Sequence, residues 1–284
     1  MQLEDAPSAG PPRALVIGVV IALVGLGVMV AVFGYWNKHR PPPLAAVEAL
    51  SRARIAADKD ALIALADAES QATAAIEAAP RGYPAAYAEL AEIEVAWADA
   101  LDDEAQFSSD RADRAGRAGD DRTKLEADGR ASAFQDQAKG RLRQAFEAAV
   151  AGNRLDPRSA DAALALADYY RAASSRTNMG LELKRAASLG ADPALIAFVQ
   201  GADLLGQEDG APQAVDRLEA AVKGAPTSAR LRFRLSMAYW KAQRTAEAQA
   251  ALQETLRLSP AHERAKLALE TLAGRAETRD GKKR

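Results

Sequence analysis

The chain carries an uncharged, apolar run near its amino terminus, at residues 14–36 (ALVIGVVIALVGLGVMVAVFGYW). A helix rises about 1.5 Å per residue, so this run spans about 34 Å and exceeds the roughly 30 Å hydrocarbon core of a bilayer. Tyr35 and Trp36 end the run with the side chains that favour the headgroup region. Prolines at 41–43 then stop the helix, because proline lacks an N–H and fixes φ. The pattern predicts a single transmembrane helix over 14–36, after a polar tail at 1–13 and before a proline-rich linker at 37–43.

A cleaved signal peptide is the alternative interpretation of this run. The segment before it contains Glu4 and Asp5 and only Arg13 as a base, and no Ala-x-Ala step precedes Tyr35. These features favour an uncleaved anchor. Gly27, Ala31 and Gly34 also form a face of small residues, which allows close packing against another helix or a second copy of the chain. Pairs of small residues at this spacing also arise by chance, so the alternative is that the segment anchors the chain without packing against another helix.

Composition after the anchor favours helices and excludes several classes of function. The chain is rich in alanine and poor in aromatic residues, and its formal net charge of −2 comes from finely interleaved acids and bases. A field of this kind does not attract nucleic acid. Because the chain contains no cysteine, disulfides, thiol catalysis and zinc–thiolate sites are excluded together.

The sequence divides into segments of different character. Residues 44–101 contain apolar residues at helical spacing and a Pro-Arg-Gly-Tyr-Pro break at 80–84, which predicts helical hairpins. Residues 102–143 are densely charged, contain several glycines and have few large apolar residues. They are interpreted as an exposed helical extension or a mobile insertion, with a partner-docking arm as the alternative. Residues 144–274 carry the clearest repeats, and a basic, disordered tail is expected at 275–284.

Regular spacing is clearest in the carboxyl-terminal half. Pro193, Pro226 and Pro260 recur at intervals of 33 and 34 residues, which is typical of stacked helical hairpins. Small residues at Ala214 and Ala248 allow the two helices of a hairpin to approach closely. Larger residues fill the space between hairpins, and these are Leu218, Leu235, Tyr239 and Leu252. These residues resemble the tetratricopeptide repeat (TPR) family over 160–262. The resemblance implies an all-α chain in which the transmembrane helix precedes an α-solenoid of TPR-like hairpins.

The resemblance also implies a protein-binding groove lined by the first helix of each repeat. The residues at the corresponding positions are Arg230, Phe233, Met237, Trp240, Lys241, Asp203, Gln207, Asp168 and Arg171. Exposed aromatic and basic residues are common binding anchors, which favours Trp240 and Lys241. The alternative is that Trp240 covers the end of the stack and that Phe233 and Met237 belong to the core. Asp203 and Met237 occupy a position where family members that clamp a peptide carboxylate have asparagine, so that activity is disfavoured.

No pattern of residues indicates catalysis. His39 and His262 are far apart and have no metal-spaced partner, and we expect His262 at the surface. Paired carboxylates at Asp102–Asp103 and Asp120–Asp121 are expected on a solvated face. No phosphate-binding loop or nucleophile elbow is present. The sequence therefore predicts a protein that is not an enzyme and needs no cofactor or metal.

The predicted function is a membrane-anchored scaffold or adaptor that binds a protein partner in a bacterial envelope assembly. The alternative is a periplasmic chaperone-like TPR module for secreted or membrane clients. The side of the membrane is ambiguous, since Lys38, Arg40, Arg52 and Arg54 after the run favour cytoplasmic repeats by the positive-inside rule. The layout is instead similar to that of periplasmic TPR proteins of the bacterial inner membrane. Oligomerisation of the chain is a further possibility.

Overall fold

A computed structural model describes residues 23–32 and 41–281, with side chains in the second range up to residue 273. The chain divides into two units, Met1–Pro42 and Pro43–Arg284. In the first unit, residues 23–32 form a helix whose large apolar side chains are exposed. Among the described residues, no helix is both long enough and apolar enough to cross a membrane. Of the predicted transmembrane helix at 14–36, residues 23–32 are described; Gly34 and the tail at 1–13 lie outside the described residues.

The second unit is entirely helical over its described residues. Its helices are α1 (Leu44–Ala57), α2 (Leu62–Glu77), α3 (Pro84–Ala118), α4 (Asp121–Leu155), α5 (Ala160–Ala172), α6 (Arg176–Ser188), α7 (Pro193–Leu205), α8 (Ala211–Gly224), α9 (Ala229–Lys241), α10 (Thr245–Leu258) and α11 (Glu263–Gly281). Successive helices pair as hairpins from α1/α2 to α9/α10, and α11 packs on α10. The prediction of an all-α solenoid of helical hairpins is therefore confirmed.

The first helices of the hairpins form one layer. Helix α3 packs against α1 and α5, α5 packs against α7, and α7 packs against α9. Helix α3 also contacts α11, so this layer curves until the last helix returns to the second hairpin. The second helices lie on the other side of the hairpins, each packed against its own first helix.

The densely charged segment 102–143 belongs to the longest hairpin. Helices α3 and α4 are each 35 residues long and are joined at Gly119, whose φ of 73° is readily adopted by glycine. Buried alanines form the seam between the two helices, and they include Ala112 and Ala115 on α3 and Ala127 and Ala131 on α4. Charged side chains occupy the outer faces. This hairpin is therefore held by close approach at the alanines and by an apolar cluster of Leu101, Trp97, Phe134 and Leu142.

Local sequence signals place the ends of the shorter helices. The side chains of Ser159 and Ser228 accept hydrogen bonds from backbone N–H groups at the starts of α5 and α9. Pro193 is the first residue of α7, where its missing N–H costs nothing, while Pro226 and Pro260 lie in the turns after α8 and α10. The proline spacing thus marks the joints between hairpins.

The core depends on small residues at helix crossings, as the repeat pattern predicts. Ala214, Ala248, Leu218 and Leu252 are all fully buried. Gly201 approaches Leu218 so closely that a Cβ atom there would lie 2.7 Å from Leu218 Cγ. The largest cluster of buried apolar side chains runs continuously from α5 to α9. This core fixes the first helices in place, and with them the polar groups described below.

Candidate functional site

Buried ion pairs connect the first helices of the second, third and fifth hairpins. Arg171 of α5 donates two parallel hydrogen bonds to Asp99 of α3, at 3.2 Å from Nη1 to Oδ1 and 2.8 Å from Nη2 to Oδ2. Arg234 of α9 lies 3.4 Å from the same carboxylate and donates to Asp103 Oδ1 at 3.0 Å. All four side chains are at most 15% exposed. Paired, largely desolvated charges of this kind constrain the geometry of the layer strongly.

Asp168 extends this network toward the fourth hairpin. Its carboxylate accepts from Arg171 Nε at 2.6 Å and from Arg230 Nη2 at 3.1 Å. The Arg230 guanidinium lies 4.7 Å above the centre of the Phe198 ring on α7. Arg230 Nε is buried and makes no hydrogen bond within the described part of the chain. Asp168 thereby joins α5 to α9 across the face of α7.

The loop between α1 and α2 contacts α11 through a buried charged cluster, which we call the Asp60 junction: Asp60, His262, Arg264 and Asp103. Arg264 lies 2.7 Å from both Asp60 Oδ2 and Asp103 Oδ2, and it also donates to the Asp60 carbonyl at 2.6 Å. His262 Nδ1 accepts from the Ala265 N–H, so Nε2 carries the proton that faces Asp60 Oδ2 at 3.2 Å. Asp60, His262 and Arg264 are each at most 2% exposed.

The same loop also contacts the start of α9. The Asp58 carbonyl accepts from the backbone N–H groups of Ala229 and Arg230, at 2.9 and 3.3 Å. These N–H groups lie at a helix start, where they have no partner within their own helix. The first hairpin is therefore bonded directly to the fifth hairpin and to the last helix, and the helical array is closed on itself.

Proximity of charges shifts several carboxyl pKa values in this region. Burial by itself would raise the pKa of Asp60, but Arg264 and His262 outweigh it and hold the pKa below its ordinary value. The pKa of Asp99 is also lowered, because Arg171 and Arg234 outweigh the effect of its burial. For Asp102, burial together with the nearby Asp99 and Asp103 outweighs the effect of Arg234 and Arg171 and raises the pKa to about 6.

A cavity of about 360 Å³, which we call the inner cavity, lies among α1, α3, α5, α7 and α9. Its apolar lining comprises Ala88, Leu164, Phe198, Val199 and Leu231, which are buried, and Ala57, Leu195 and Ala225, which are partly buried. Its polar lining includes six carboxylates and two guanidinium groups: Asp58, Glu89, Glu92, Asp161, Asp168 and Asp192, with Arg54 and Arg230. The exposed charged side chains of the lining form its mouth, and its most buried lining is apolar except for Asp168, which is paired with Arg171 and Arg230.

Two neighbouring glutamates of α3 give the inner cavity its electrostatic character. Glu89 accepts from Arg54 Nε at 2.9 Å, yet its burial outweighs this contact and raises its pKa. Glu92 is partly buried, and burial together with the Glu89 charge raises its pKa well above the ordinary value. Both carboxylates would therefore be stabilised by an additional positive charge.

The residues predicted to line the groove separate into three environments. Asp168 and Arg230 line the inner cavity, while Arg171 and Asp203 line a second, open cavity of about 710 Å³. Asp203 there accepts hydrogen bonds from Arg176 and from Gln207. The remaining members lie toward the end of the array: Phe233 is fully buried, Met237 and Trp240 are partly buried, and Lys241 is exposed and donates to the Leu205 carbonyl. A role of these nine residues in partner binding stays a prediction.

Two expectations about polar residues were wrong. His262 is fully buried, because the α1–α2 loop covers it and supplies Asp60 as its partner. Asp103 is also not on a solvated face, since Arg234 and Arg264 approach it from two other helices. Both errors arise from contacts between segments more than 100 residues apart. Charge alternation along one helix carries no signal of such contacts.

Four members of the buried network were not predicted from the sequence: Asp60, Asp99, Arg234 and Arg264. A weak signal existed in the spacing of Asp99 and Asp103, since residues four apart share one helix face. Of the three residues of the predicted helix-packing face, Gly27 and Ala31 lie in the described helix 23–32 and Gly34 lies outside the described residues; Gly27 has no neighbour within 4 Å of an added Cβ. Within the described residues, no group of three or more histidine, aspartate or glutamate side chains is arranged to hold a metal ion.

No protein-family model matches the chain, and no curated protein matches it. Among solved structures, the chain is similar to the crystal structure of an APC/C hetero-tetramer, Cut9-Hcn1, at 14% sequence identity and a TM-score of 0.40. The similarity covers 73% of this chain and 39% of that chain, so this chain spans about two fifths of the protein that it matches.

Proposed function

We propose that the chain is a membrane-anchored scaffold of the TPR type, which binds a protein partner along the layer formed by the first helices of its hairpins. The observation that carries the proposal is the inner cavity, a charged opening with an apolar base built from five different helices. Repeat arrays of this kind offer surfaces for recognition, since each hairpin contributes a few side chains to one face. Binding, and not catalysis, is the activity that this arrangement supports.

The apolar segment at residues 14–36 supports the membrane part of the proposal. Its described residues, 23–32, are helical, and the large apolar side chains among them are 57–69% exposed. Exposed apolar surface of this extent is typical of a segment covered by lipid or protein. Confinement to a membrane plane would raise the effective concentration of a partner in the same membrane. We further propose that the anchor lies in a bacterial inner membrane with the repeats in the periplasm, within an envelope assembly.

Crosslinking in native membranes followed by mass spectrometry tests the scaffold. A dedicated scaffold is expected to yield one partner at fixed stoichiometry. Capture of many unfolded clients with no preferred partner would instead favour the chaperone-like alternative and contradict the scaffold. A reporter fused to the carboxyl terminus, active on only one side of the membrane, tests the periplasmic assignment. Activity only in the cytoplasm would contradict that assignment.

The predicted groove residues at the end of the array provide a separate test. Changing Trp240 or Lys241 to alanine is expected to weaken recovery of the crosslinked partner at least severalfold, because anchor residues carry a large share of binding energy. Lys223 on α8 is exposed on a second helix, so Lys223→Ala is the matched control. Unchanged recovery by the two variants, with intact helicity by circular dichroism, would exclude this end of the groove.

A further inference from the structure

We propose that the inner cavity receives a lysine or arginine side chain from an apolar segment of the protein partner. This inference rests on the proposed function, because it assigns the chemistry of the partner that the scaffold binds. It is argued from the size of the cavity, from its apolar base, and from the unbalanced charge of its walls.

The size of the cavity limits what it can hold. Ligand pockets usually measure about 300–1,000 Å³, and a water molecule occupies about 30 Å³ in the liquid. At about 360 Å³, the inner cavity lies at the lower end of this range. It has room for one long side chain and an apolar neighbour, and it is too small to contain a helix.

The arrangement of the walls suits a long side chain with a charged end. Phe198, Val199 and Leu231 line the base and are each at most 3% exposed. Lysine and arginine bury their aliphatic stems against such surfaces while their charged ends stay with polar groups. Glu89 and Glu92 lie on α3, and their side chains line the same cavity as these apolar residues.

The charge of the walls selects a cation. Asp168 is occupied by Arg171 and Arg230, and Asp192 accepts from the Ala194 N–H at the start of α7. The side chains of Asp58 and Glu92, in contrast, make no hydrogen bond or ion pair within the described residues. Six carboxylates and two guanidinium groups line the cavity, and Arg171 adds a third guanidinium against Asp168, so a formal excess of three negative charges remains in one small space. An anion would meet this excess directly, so an anionic ligand does not fit.

Arg54 shows how carboxylates at the mouth of the inner cavity bind a guanidinium group. Its guanidinium lies at the mouth, 2.9 Å from Glu89 Oε2 and 3.5 Å from Asp161 Oδ2. The Arg54 side chain is 53% exposed, and Asp161 is 51% exposed, so both remain accessible to an incoming chain. The mouth therefore already holds one guanidinium between two carboxylates. Glu92 provides the carboxylate for a second cation.

Fluorescence polarisation with the purified full chain tests this inference. The probe is a fluorescein-labelled, amide-capped peptide, Gly-Ser-Leu-Lys-Leu-Ser-Gly, and a second probe has norleucine in place of lysine. The lysine probe is expected to bind at least about tenfold more tightly than the norleucine probe. Its affinity is expected to fall as the salt concentration is raised, because salt screens charge-assisted contacts. Equal binding of the two probes, or no binding of the lysine probe, overturns the inference.

Variants connect the binding to the cavity. Glu92→Gln keeps the shape of the side chain and is expected to lower the affinity for the lysine probe about tenfold. Glu208→Gln, at an exposed site in the turn after α7, is the matched control. Because the Glu92 side chain makes no hydrogen bond or ion pair within the described residues and its burial disfavours the charged form, its replacement is expected to leave thermal stability unchanged or raised, which a purely structural role would not allow. Asp161→Asn, at the exposed mouth, is the second variant if Glu92→Gln does not fold.

The outcomes separate this inference from the proposed function. Unchanged binding of the lysine probe by both Glu92→Gln and Asp161→Asn overturns the assignment to the inner cavity, even if a partner is recovered by crosslinking. Tighter binding of the diamine cadaverine than of the peptide overturns the assignment to a protein partner. Failure of crosslinking to recover any partner contradicts the scaffold itself, whatever the peptide does.

Discussion

Replacing Asp60 by asparagine tests whether the Asp60 junction holds the two ends of the helical array together. Asp60 has a φ of 51°, in the left-handed region that asparagine tolerates as well as aspartate does. The substitution therefore preserves the backbone and the size of the side chain. It removes one negative charge from between Arg264 and His262, and the α1–α2 loop loses its ionic contact with α11.

The expected cost follows from the burial of the cluster. Removing one member of a buried ion pair typically costs about 3–5 kcal/mol, because the other charge is left without compensation. Arg264 is only 2% exposed, but it keeps Asp103 at 2.7 Å as a second partner. We therefore expect the lower end of this range, about 3 kcal/mol. For a unit of this size, that corresponds to a decrease in Tm of about 6–12 °C.

Urea unfolding followed by circular dichroism at 222 nm measures this loss, and hydrogen exchange locates it. Faster exchange is expected in the α1–α2 loop and at the start of α11. The pKa of Asp60 is lower in the folded chain than its ordinary value of about 3.9, so its contribution to stability is present above that value and is lost only as the pH falls below it. The difference between the two proteins should thus be constant from pH 7 to pH 5.

Lys59→Ala is the control for the Asp60 variant, because Lys59 lies in the same loop with an exposed side chain. We expect this control to unfold within about 0.5 kcal/mol of the unchanged chain. A similarly small effect of Asp60→Asn, with no change in hydrogen exchange at α11, would refute the reasoning that the junction closes the array.

Two further variants test the packing and the titration of the core. Gly201→Ala is expected to destabilise the chain by about 1–3 kcal/mol, because the new Cβ would lie 2.7 Å from Leu218 Cγ, whereas Gly180→Ala, in a helix with no neighbour within 4 Å, should stabilise it slightly in the same thermal scan. Equal effects of the two alanines would show that the close approach has no energetic weight. Burial raises the pKa of Glu94 to about 7, so its contribution to stability is present below about pH 4.5 and is lost as the pH rises toward 7. Glu94→Gln should therefore flatten the urea midpoint between pH 5 and pH 7, and an unchanged slope would contradict the shift.

Most of the secondary structure could be predicted because its causes are local. Apolar spacing, serine caps and the turns at Pro226 and Pro260 act over a few residues, and they place the helices of the last three hairpins correctly. For the segment 102–143, the packing of its helices could not be predicted from the sequence. Its helices are joined by buried alanines, and an alanine provides the same sequence signal whether it lies in a seam or faces solvent.

The candidate site was only partly accessible to sequence reasoning. Family resemblance placed Asp168 and Arg230 on the correct layer, and they do line the inner cavity. The other half of the cavity comes from Arg54, Glu89 and Glu92 in the first two hairpins, where the repeat pattern is weak. No regular offset connects those residues to the later repeats, so their convergence was not predictable.

The sequence alone determined that this protein is an all-helical array of hairpins preceded by an apolar segment, because helix propensity, periodicity and proline breaks are properties of neighbouring residues. Tertiary structure alone decided which of its many charges are buried. Asp60 and His262 are 202 residues apart, and they meet only because the layer of first helices curves back on itself. That curvature brings charges from distant segments together, and it buries them in a closed ionic junction and in the walls of the inner cavity.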